Sequence, residues 1–417
     1  MALNWVWIGF FVSACATAAW RWWHGEAEIF SALLAALFDS ARSGFDIALG
    51  LTGVMCLWLG LMRVGERAGM VAWLARLGAP LLRLLFPGVP AGHPAQGAMT
   101  MNISANMLGL DNAATPLGLA AMRELQSLNR EPAGTASDAQ IMFVVLNTAG
   151  LTLIPTSVIA IRQSVALKQG LGSSFNAADI FLPTLLATLV SLLAAVLLVG
   201  AIQRLPLWKP RFLLPFGLVG ALLALAVTAL ARLPAEQAAR VAGTAGAAVI
   251  LGVVLLFVLA GAWQRVNVYD AFVEGAKEGF GVAIYIVPYL VAILVAVGVF
   301  RAAGCMDAVL GAIATVLTWW GWNTDFLPAL PVGLMKVLSG SGARGLMVDV
   351  MQTYGVDSFP ARLAAIIQGS TETTFYVLAV YFGSVGVTHT RYALACALFA
   401  DAVGVLAAIG VGYALLR

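Results

Sequence analysis

Apolar runs of about twenty residues recur along the whole chain, and no other feature constrains its fold as much. Residues 44–64, 180–202, 212–231, 241–263 and 282–300 each reach the roughly 20 residues that a helix needs to cross a bilayer. With 61% hydrophobic residues, 10% charged residues and a mean hydropathy of +0.93, this much apolar surface has no place in ordinary water-soluble domains. Alternating ten-residue strands are absent, which removes a β-barrel. The expectation is an all-α polytopic membrane protein, multi-pass in the cell (inner) membrane, with the lipid bilayer as its first partner.

One further run, 361–383, is interrupted in its middle by Gln368-Gly-Ser-Thr-Glu-Thr-Thr-Phe375. An ionised side chain at bilayer depth costs between about 2.5 and 17 kcal/mol, depending on the measure, unless it meets water or a partner. Glu372 should therefore line something, with Gln368, Ser370, Thr371 and Thr373 beside it. The bland alternative is a glutamate that glues two helices together, its neighbouring hydroxyls bonded back to preceding carbonyls.

Three other stretches break the apolar pattern. In the first, 88–130, neither limb is long enough to cross, and a re-entrant hairpin fits: 96–110 descends, 111–116 turns and 117–128 returns. Its polar residues include Asn102, Ser104, Asn106, Asp111, Asn112 and Thr115. Irregular backbone is tolerated at depth only where it is buried in protein or faces water. The second is the run 141–161, which carries Asn147, Thr148 and Thr152 around Gly150 and Pro155, a combination that ends a helix and frees backbone groups. The third surrounds 336–345, where Ser339, Ser341 and the flanking Lys336 and Arg344 suggest a second hairpin. Gly340 to Gly345 matches GxGxxG, but the residues before it are helical and no βαβ unit follows, so a dinucleotide site is not expected. A helix start that favours an anion or a carbonyl oxygen suits the tip better. Lys336 and Arg344 then serve either as counter-charges or as snorkelling side chains.

The plan of the first half recurs in the second. A shift of 235 residues lays Asp39, Arg42, Gly44 and Phe45 on Glu274, Lys277, Gly279 and Phe280, and Ala68-Gly69 on Ala303-Gly304. An amphipathic helix (28–45; 266–278), a span, a short helix (70–86; 306–320), a hairpin, an interrupted span and a last span (180–202; 391–416) follow in both. This divides the chain into 1–211, a connecting span within 212–239, and 240–417. Two such halves with discontinuous helices at matching places point to a binding site between them. An inverted relation is preferred, although Lys and Arg in most loops leave orientation open. The first segment, 3–20, lacks a basic lead and ends in Trp20-Arg-Trp-Trp23. A retained transmembrane helix is expected there, with a signal peptide as the rival.

Several classes drop out. A net charge of +3 without basic clusters among aromatic platforms gives no reason to expect nucleic acid. Cys15, Cys56, Cys305 and Cys396 stand singly in apolar runs, and His24, His93 and His389 are dispersed, so neither a metal nor another cofactor is expected. Hydroxyls are plentiful, but no Ser, His and acid set sits at supporting depths, so an intramembrane hydrolase is not expected.

The motifs are recognisable as a group. The run Asn102-Ile-Ser-Ala-Asn-Met-Leu-Gly-Leu-Asp-Asn-Ala-Ala-Thr-Pro-Leu-Gly118 resembles the signature of spore maturation protein A. Ser339-Gly-Ser-Gly-Ala-Arg-Gly345 and Gln368 to Gly386 resemble that of spore maturation protein B, here joined in one polypeptide. The family carries the nucleoside recognition or Gate domain, which is similar to parts of concentrative nucleoside transporters and of ferrous iron transport protein B. The resemblance implies inverted repeats, two re-entrant hairpins and two broken helices around a midplane site. The function expected is secondary transport of a small polar solute, nucleoside-, amino-acid- or small-peptide-like, with H⁺ or Na⁺ as the coupling ion and no enzymatic step. Glu372 would be the principal anchor, and Asn147, Thr148 and Thr152 would complete the site. The rival is a membrane scaffold with a vestigial cavity, and a homo-oligomer is compatible with either.

Overall fold

The computed structural model describes every residue except 1, 109–110, 151, 154, 172–174, 208, 233–234 and 417, and omits the side chains of 2–3, 111–113 and part of 211–242. Its described residues form helices and no strand. In chain order come α1 (Ala2–Trp23), α2 (Ile29–Arg67), α3 (Met70–Leu85), a hairpin of α4 (Pro94–Met107) and α5 (Asp111–Ser127), then α6 (Asp138–Ala149) and α7 (Thr156–Lys168). A 3-10 turn (Ala177–Ile180) leads into α8 (Phe181–Ile202), followed by α9 (Pro210–Ala231) and α10 (Ala235–Trp263). There follow α11 (Val268–Ala302), α12 (Cys305–Trp319), a hairpin of α13 (Leu330–Leu338) and α14 (Gly340–Tyr354), α15 (Phe359–Ser370), α16 (Thr374–Gly383) and α17 (Ala393–Leu415). Six of the described stretches are long and apolar enough to cross a membrane: α2, 177–202, 243–263, α11, 359–383 and α17. The chain is a multi-pass helical membrane protein.

Local sequence sets the helix starts. Ser137 and Gln140 form a reciprocal capping box at α6. Ser358 caps α15 with Pro360 in its first turn, and Asn267 caps α11 by accepting from the Asp270 amide. Gly69 and Gly304, 235 residues apart, take left-handed backbone (φ +76° and +83°) and turn the chain from α2 into α3 and from α11 into α12.

One expectation needs correction. The stretches 28–45 and 266–278 are not separate interfacial helices, because each runs unbroken into the following span as part of α2 (39 residues) and α11 (35 residues). At 1.5 Å per residue these helices are roughly 58 and 52 Å long, far beyond a hydrocarbon core of about 30 Å, so the amphipathic parts are extensions outside the core. The segment 3–20 is helical as part of α1. It leans on the second half, with the Trp7 indole donating to the Ala292 carbonyl (3.0 Å) and Arg21 to the Ala303 carbonyl (3.0 Å).

Gly44 and Gly279, which read as boundaries, are points of close approach. α2 and α11 lie antiparallel, and a Cβ on Gly44 would stand 3.1 Å from the Val291 Cα, while one on Gly279 would stand 2.8 Å from the Cys56 Cα. The second pair is the first shifted by 235. Gly298 against Ser40 and Gly275 against Arg63 repeat the same reciprocity. Arg63 and Arg67 close one end of the pair on Glu278 and Glu274.

This packing predicts opposite signs for one substitution. A Cβ on Gly275 or Gly279 would fall 2.2 Å from the Leu59 carbonyl oxygen or 2.5 Å from that of Met55, so Gly275→Ala and Gly279→Ala should each cost about 1–3 kcal/mol through overpacking. Gly53 and Gly281, on the same two helices, have nothing within 4 Å, and alanine there should add up to about 1 kcal/mol of helix propensity. Thermal denaturation of the four variants in detergent checks this. Equal shifts at all four positions would remove the close-contact account.

Two apolar cores flank the middle of the molecule. One gathers residues of α2, α7, α11, α14 and α15, and the other gathers residues of α5, α6, α8, α16 and α17. The consecutive helices α6 and α7 therefore belong to different cores, and so do α15 and α16. Both helix breaks, between α6 and α7 and between α15 and α16, fall on the seam.

Candidate functional site

The first interruption follows from its residues. Gly150 takes φ +44° and its amide closes α6 on the Leu146 carbonyl (3.2 Å), while Pro155 stands at the entrance of α7. The groups left over find partners across the bundle. Thr188 of α8 donates to the Gly150 carbonyl, and the Leu153 amide donates to the Met107 carbonyl at the end of α4 (2.9 Å). In the second interruption Thr371 is extended, with φ −142° and ψ 172°. The Glu372 amide donates to the Thr148 carbonyl (2.9 Å), so the two breaks are joined backbone to backbone. Gly150 lies directly beneath Glu372, where a Cβ would sit 2.8 Å from the glutamate Cγ. Any larger residue would displace the acid.

Beside this junction is a small cleft of about 50 Å³ lined by Thr152, Pro155, Thr156, Ser157, Lys336, Arg344, Gln368, Thr371 and Glu372. Its wall thus comes from both breaks and from both helices of the second hairpin. Glu372 is half-buried, Lys336 is buried, and the Gln368 Oε1 is buried with no protein partner. The cleft sets one acid against two cations, with hydroxyls and an open amide oxygen between them. Such a lining suits a solute that carries both donors and acceptors. The described residues contain no group of three His, Cys, Asp or Glu side chains placed to hold a metal ion.

The remaining residues singled out in the sequence lie outside this lining. Ser370 and Thr148 are fully buried and donate to their own helices, at the Ile367 and Val145 carbonyls (2.9 Å each), as the bland reading of such hydroxyls has it. Asn147 belongs to a polar relay on the far side of the first break. Its Oδ1 accepts from Asn106 (2.7 Å) and from the Tyr381 hydroxyl (3.4 Å), and Tyr381 in turn accepts from Asn102 (3.2 Å). Ser339 caps α14 by accepting from the Gly342 amide (3.0 Å), with the Ser341 hydroxyl 3.2 Å away. Thr373 packs on Gly340, whose added Cβ would meet its hydroxyl at 2.7 Å, and so ties the second break to the hairpin tip. Thr115 is half-buried in α5, and the side chain of Asn112 lies outside the described residues.

Sequence reading missed two participants. Tyr381 closes the relay just described. Asp401 of α17 is 3% exposed and its Oδ2 accepts from the Thr374 hydroxyl (2.6 Å), one residue past the second break. Its signal was available, since it is an acid inside an otherwise uncharged apolar run of 23 residues.

Residues 48–164 and 283–388, more than half of the chain, match the model of the Gate family, described as nucleoside recognition. The two matched segments begin 235 residues apart, the same shift that relates Gly44 to Gly279. Over 161 residues the chain is 42% identical to spore maturation protein B of Bacillus subtilis (strain 168), covering 39% of this chain and 87% of that protein. Over 163 residues it is 40% identical to spore maturation protein A of the same organism, covering 39% of this chain and 79% of that protein. No solved structure matches it. Two Gate segments on one chain, each placing a broken helix at a shared seam, fit those relatives, and the chain belongs to the Gate (nucleoside recognition) family of spore maturation A- and B-like membrane proteins.

Proposed function

We propose that the protein is a secondary transporter of a small polar solute, nucleoside-, amino-acid- or small-peptide-like, and that it catalyses no covalent step. The observation that carries this reading is the junction of the two helix breaks, with the Glu372 amide on the Thr148 carbonyl beside a polar cleft walled by both breaks and the second hairpin. Discontinuous helices meeting at mid-depth supply directed polar groups where hydrocarbon otherwise excludes them. Glu372 accepts from a donor on the solute, Arg344 and Lys336 face its acceptors, and Gln368, Thr371 and Thr152 fix its orientation. Residues 1–211 and 240–417, either side of the connector within 212–239, act as inverted repeats, in keeping with the antiparallel α2 and α11 and their reciprocal glycine contacts. Because each broken helix has one half in each apolar core, rocking of one core against the other opens the seam to alternate sides. H⁺ or Na⁺ drives the cycle.

A thermal-shift screen over nucleosides, amino acids, dipeptides and small carboxylates, with and without Na⁺, tests the reading. A bound solute at a hundredfold excess over its Kd should stabilise by about 2.7 kcal/mol. A flat response to every compound would favour a scaffold with a vestigial cavity.

A further inference from the structure

We propose that Asp401 is the proton-binding carboxylate that couples transport, gaining a proton from one aqueous phase and releasing it to the other, with Lys336 as its counter-charge. The inference rests on the transporter reading of the cleft and moves the coupling step from the cleft itself to the layer behind it. Asp401 is the one charged side chain in α17, and it is buried at mid-span. One carboxylate oxygen holds the Thr374 hydroxyl at 2.6 Å, while the other, Oδ1, is buried without a protein partner. A buried acceptor left open is costly in a purely structural residue. It is also where a proton adds without displacing an existing bond.

The surroundings connect this oxygen to the cleft. The Thr371 hydroxyl, Lys336 on α13 and Glu372 in the second break all act on the Asp401 carboxylate, and all three line the cleft. One turn along α17, Gly404 packs on Thr371, where a Cβ would stand 2.7 Å from the methyl carbon. Other elements against α17 bring hydroxyls or charges engaged elsewhere. Ser191 of α8 donates to the Ala400 carbonyl (2.8 Å), Arg362 of α15 pairs with Asp179 and Asp357, and Asp138 of α6 pairs with Arg391 before α17 begins. No described charged side chain of α9 or α10 is among the electrostatic neighbours of Asp401. A sodium ion at Oδ1 would meet the repulsion of the Lys336 ammonium, which acts on the same carboxylate, whereas a proton forms a neutral acid there.

The cycle balances in protons. With Asp401 ionised, Thr374 donates to Oδ2 and holds the start of α16 to α17. A proton entering through the cleft adds to Oδ1, the charge-assisted bond to Thr374 weakens, and α16 is freed to move with its own core. When the seam opens to the opposite side the proton leaves, and Asp401 recovers Lys336 and Thr374.

Infrared titration of the purified protein in detergent tests this without any solute. The wild type is expected to show a protonated-carboxyl band that titrates with pH, is lost in Asp401→Asn, is retained in Glu372→Gln, and has its midpoint displaced in Lys336→Met. If Asp401→Asn fails to fold, Asp401→Glu should keep the band and shift its frequency. A band unchanged in the Asp401 variants, or none that titrates, overturns the assignment. A second arm uses proteoliposomes that enclose a pH-sensitive dye, with uridine as the probe. Uridine entry in the wild type with acidification, the acidification falling at least tenfold in Asp401→Asn, supports the proposal. Uridine entry that requires Na⁺ and leaves the dye unchanged overturns the coupling role and leaves the transport reading intact. No uridine entry in the wild type counts against transport of that solute, and the infrared titration still decides Asp401.

Discussion

Glu372→Gln is expected to lower uptake by about 10- to 100-fold or more for any solute that stabilises the wild type, in proteoliposomes at matched protein density. The amide keeps the size of the acid and one acceptor oxygen but loses the charge, and a hydrogen bond to a charged group is worth roughly 1.5–3 kcal/mol. The loss should exceed that of a single bond, because Lys336 and Arg344 would then line the cleft with no acid among its described wall residues. Folding should be little affected. The bond that joins the two breaks is made by the Glu372 backbone amide to the Thr148 carbonyl, and the Gly150 contact involves Cγ, which glutamine retains. A melting temperature near that of the wild type, measured beside the transport assay, therefore separates a binding role from a structural one. Full uptake by the variant would end the assignment of Glu372 as anchor.

Much of this architecture was legible in the sequence, for a physical reason. In hydrocarbon, an acid, a proline or a run of Asn and Thr is costly enough to stand out against Leu and Ala, so the breaks at 147–156 and 368–375 declared themselves. The same contrast explains the recognition of the family from Asn102 to Gly118 and Gln368 to Gly386, which the comparisons bear out. What stayed hidden was direction. Thr148 and Ser370 carry hydroxyls in the right stretches, yet those hydroxyls point back along their own helices, which composition does not reveal. Asp401 escaped because a single acid without flanking hydroxyls does not look like a break, and its partner Thr374 is 27 residues away. The extents of α2 and α11 were also obscured. A glycine within an amphipathic-to-apolar transition reads as a boundary, and only the opposing helix shows that Gly44 and Gly279 are contact points. Burial of charge away from the cleft was equally silent, and it leads to the second large effect.

Asp179→Leu is expected to destabilise the protein by about 3–5 kcal/mol, the cost of leaving buried charges without their partner. Asp179 sits in the 3-10 turn before α8 and accepts from two arginines of opposite origin. Arg162 of α7, fully buried and stacked 5.2 Å from the Phe175 ring centroid, pairs with Oδ1, while Arg362 of α15 reaches Oδ2 at 3.2 Å. The carboxylate thereby ties the helix that follows the first break to the helix that precedes the second, both on the same side of the seam. Without it the two guanidinium groups face each other. Arg362 keeps Asp357 at 2.5 Å, but the Nε and Nη2 of Arg162 already lack hydrogen-bond partners and its Nη1 would join them. The coupling has a signature that simple loss of packing does not share. In an Arg162→Met background the further change Asp179→Leu should cost several-fold less, because the repulsion it exposes has been removed beforehand. Thermal or chemical denaturation in detergent of the wild type, both single variants and the double variant completes the cycle. Strict additivity of the two substitutions would show that the arginine and the aspartate do not depend on each other.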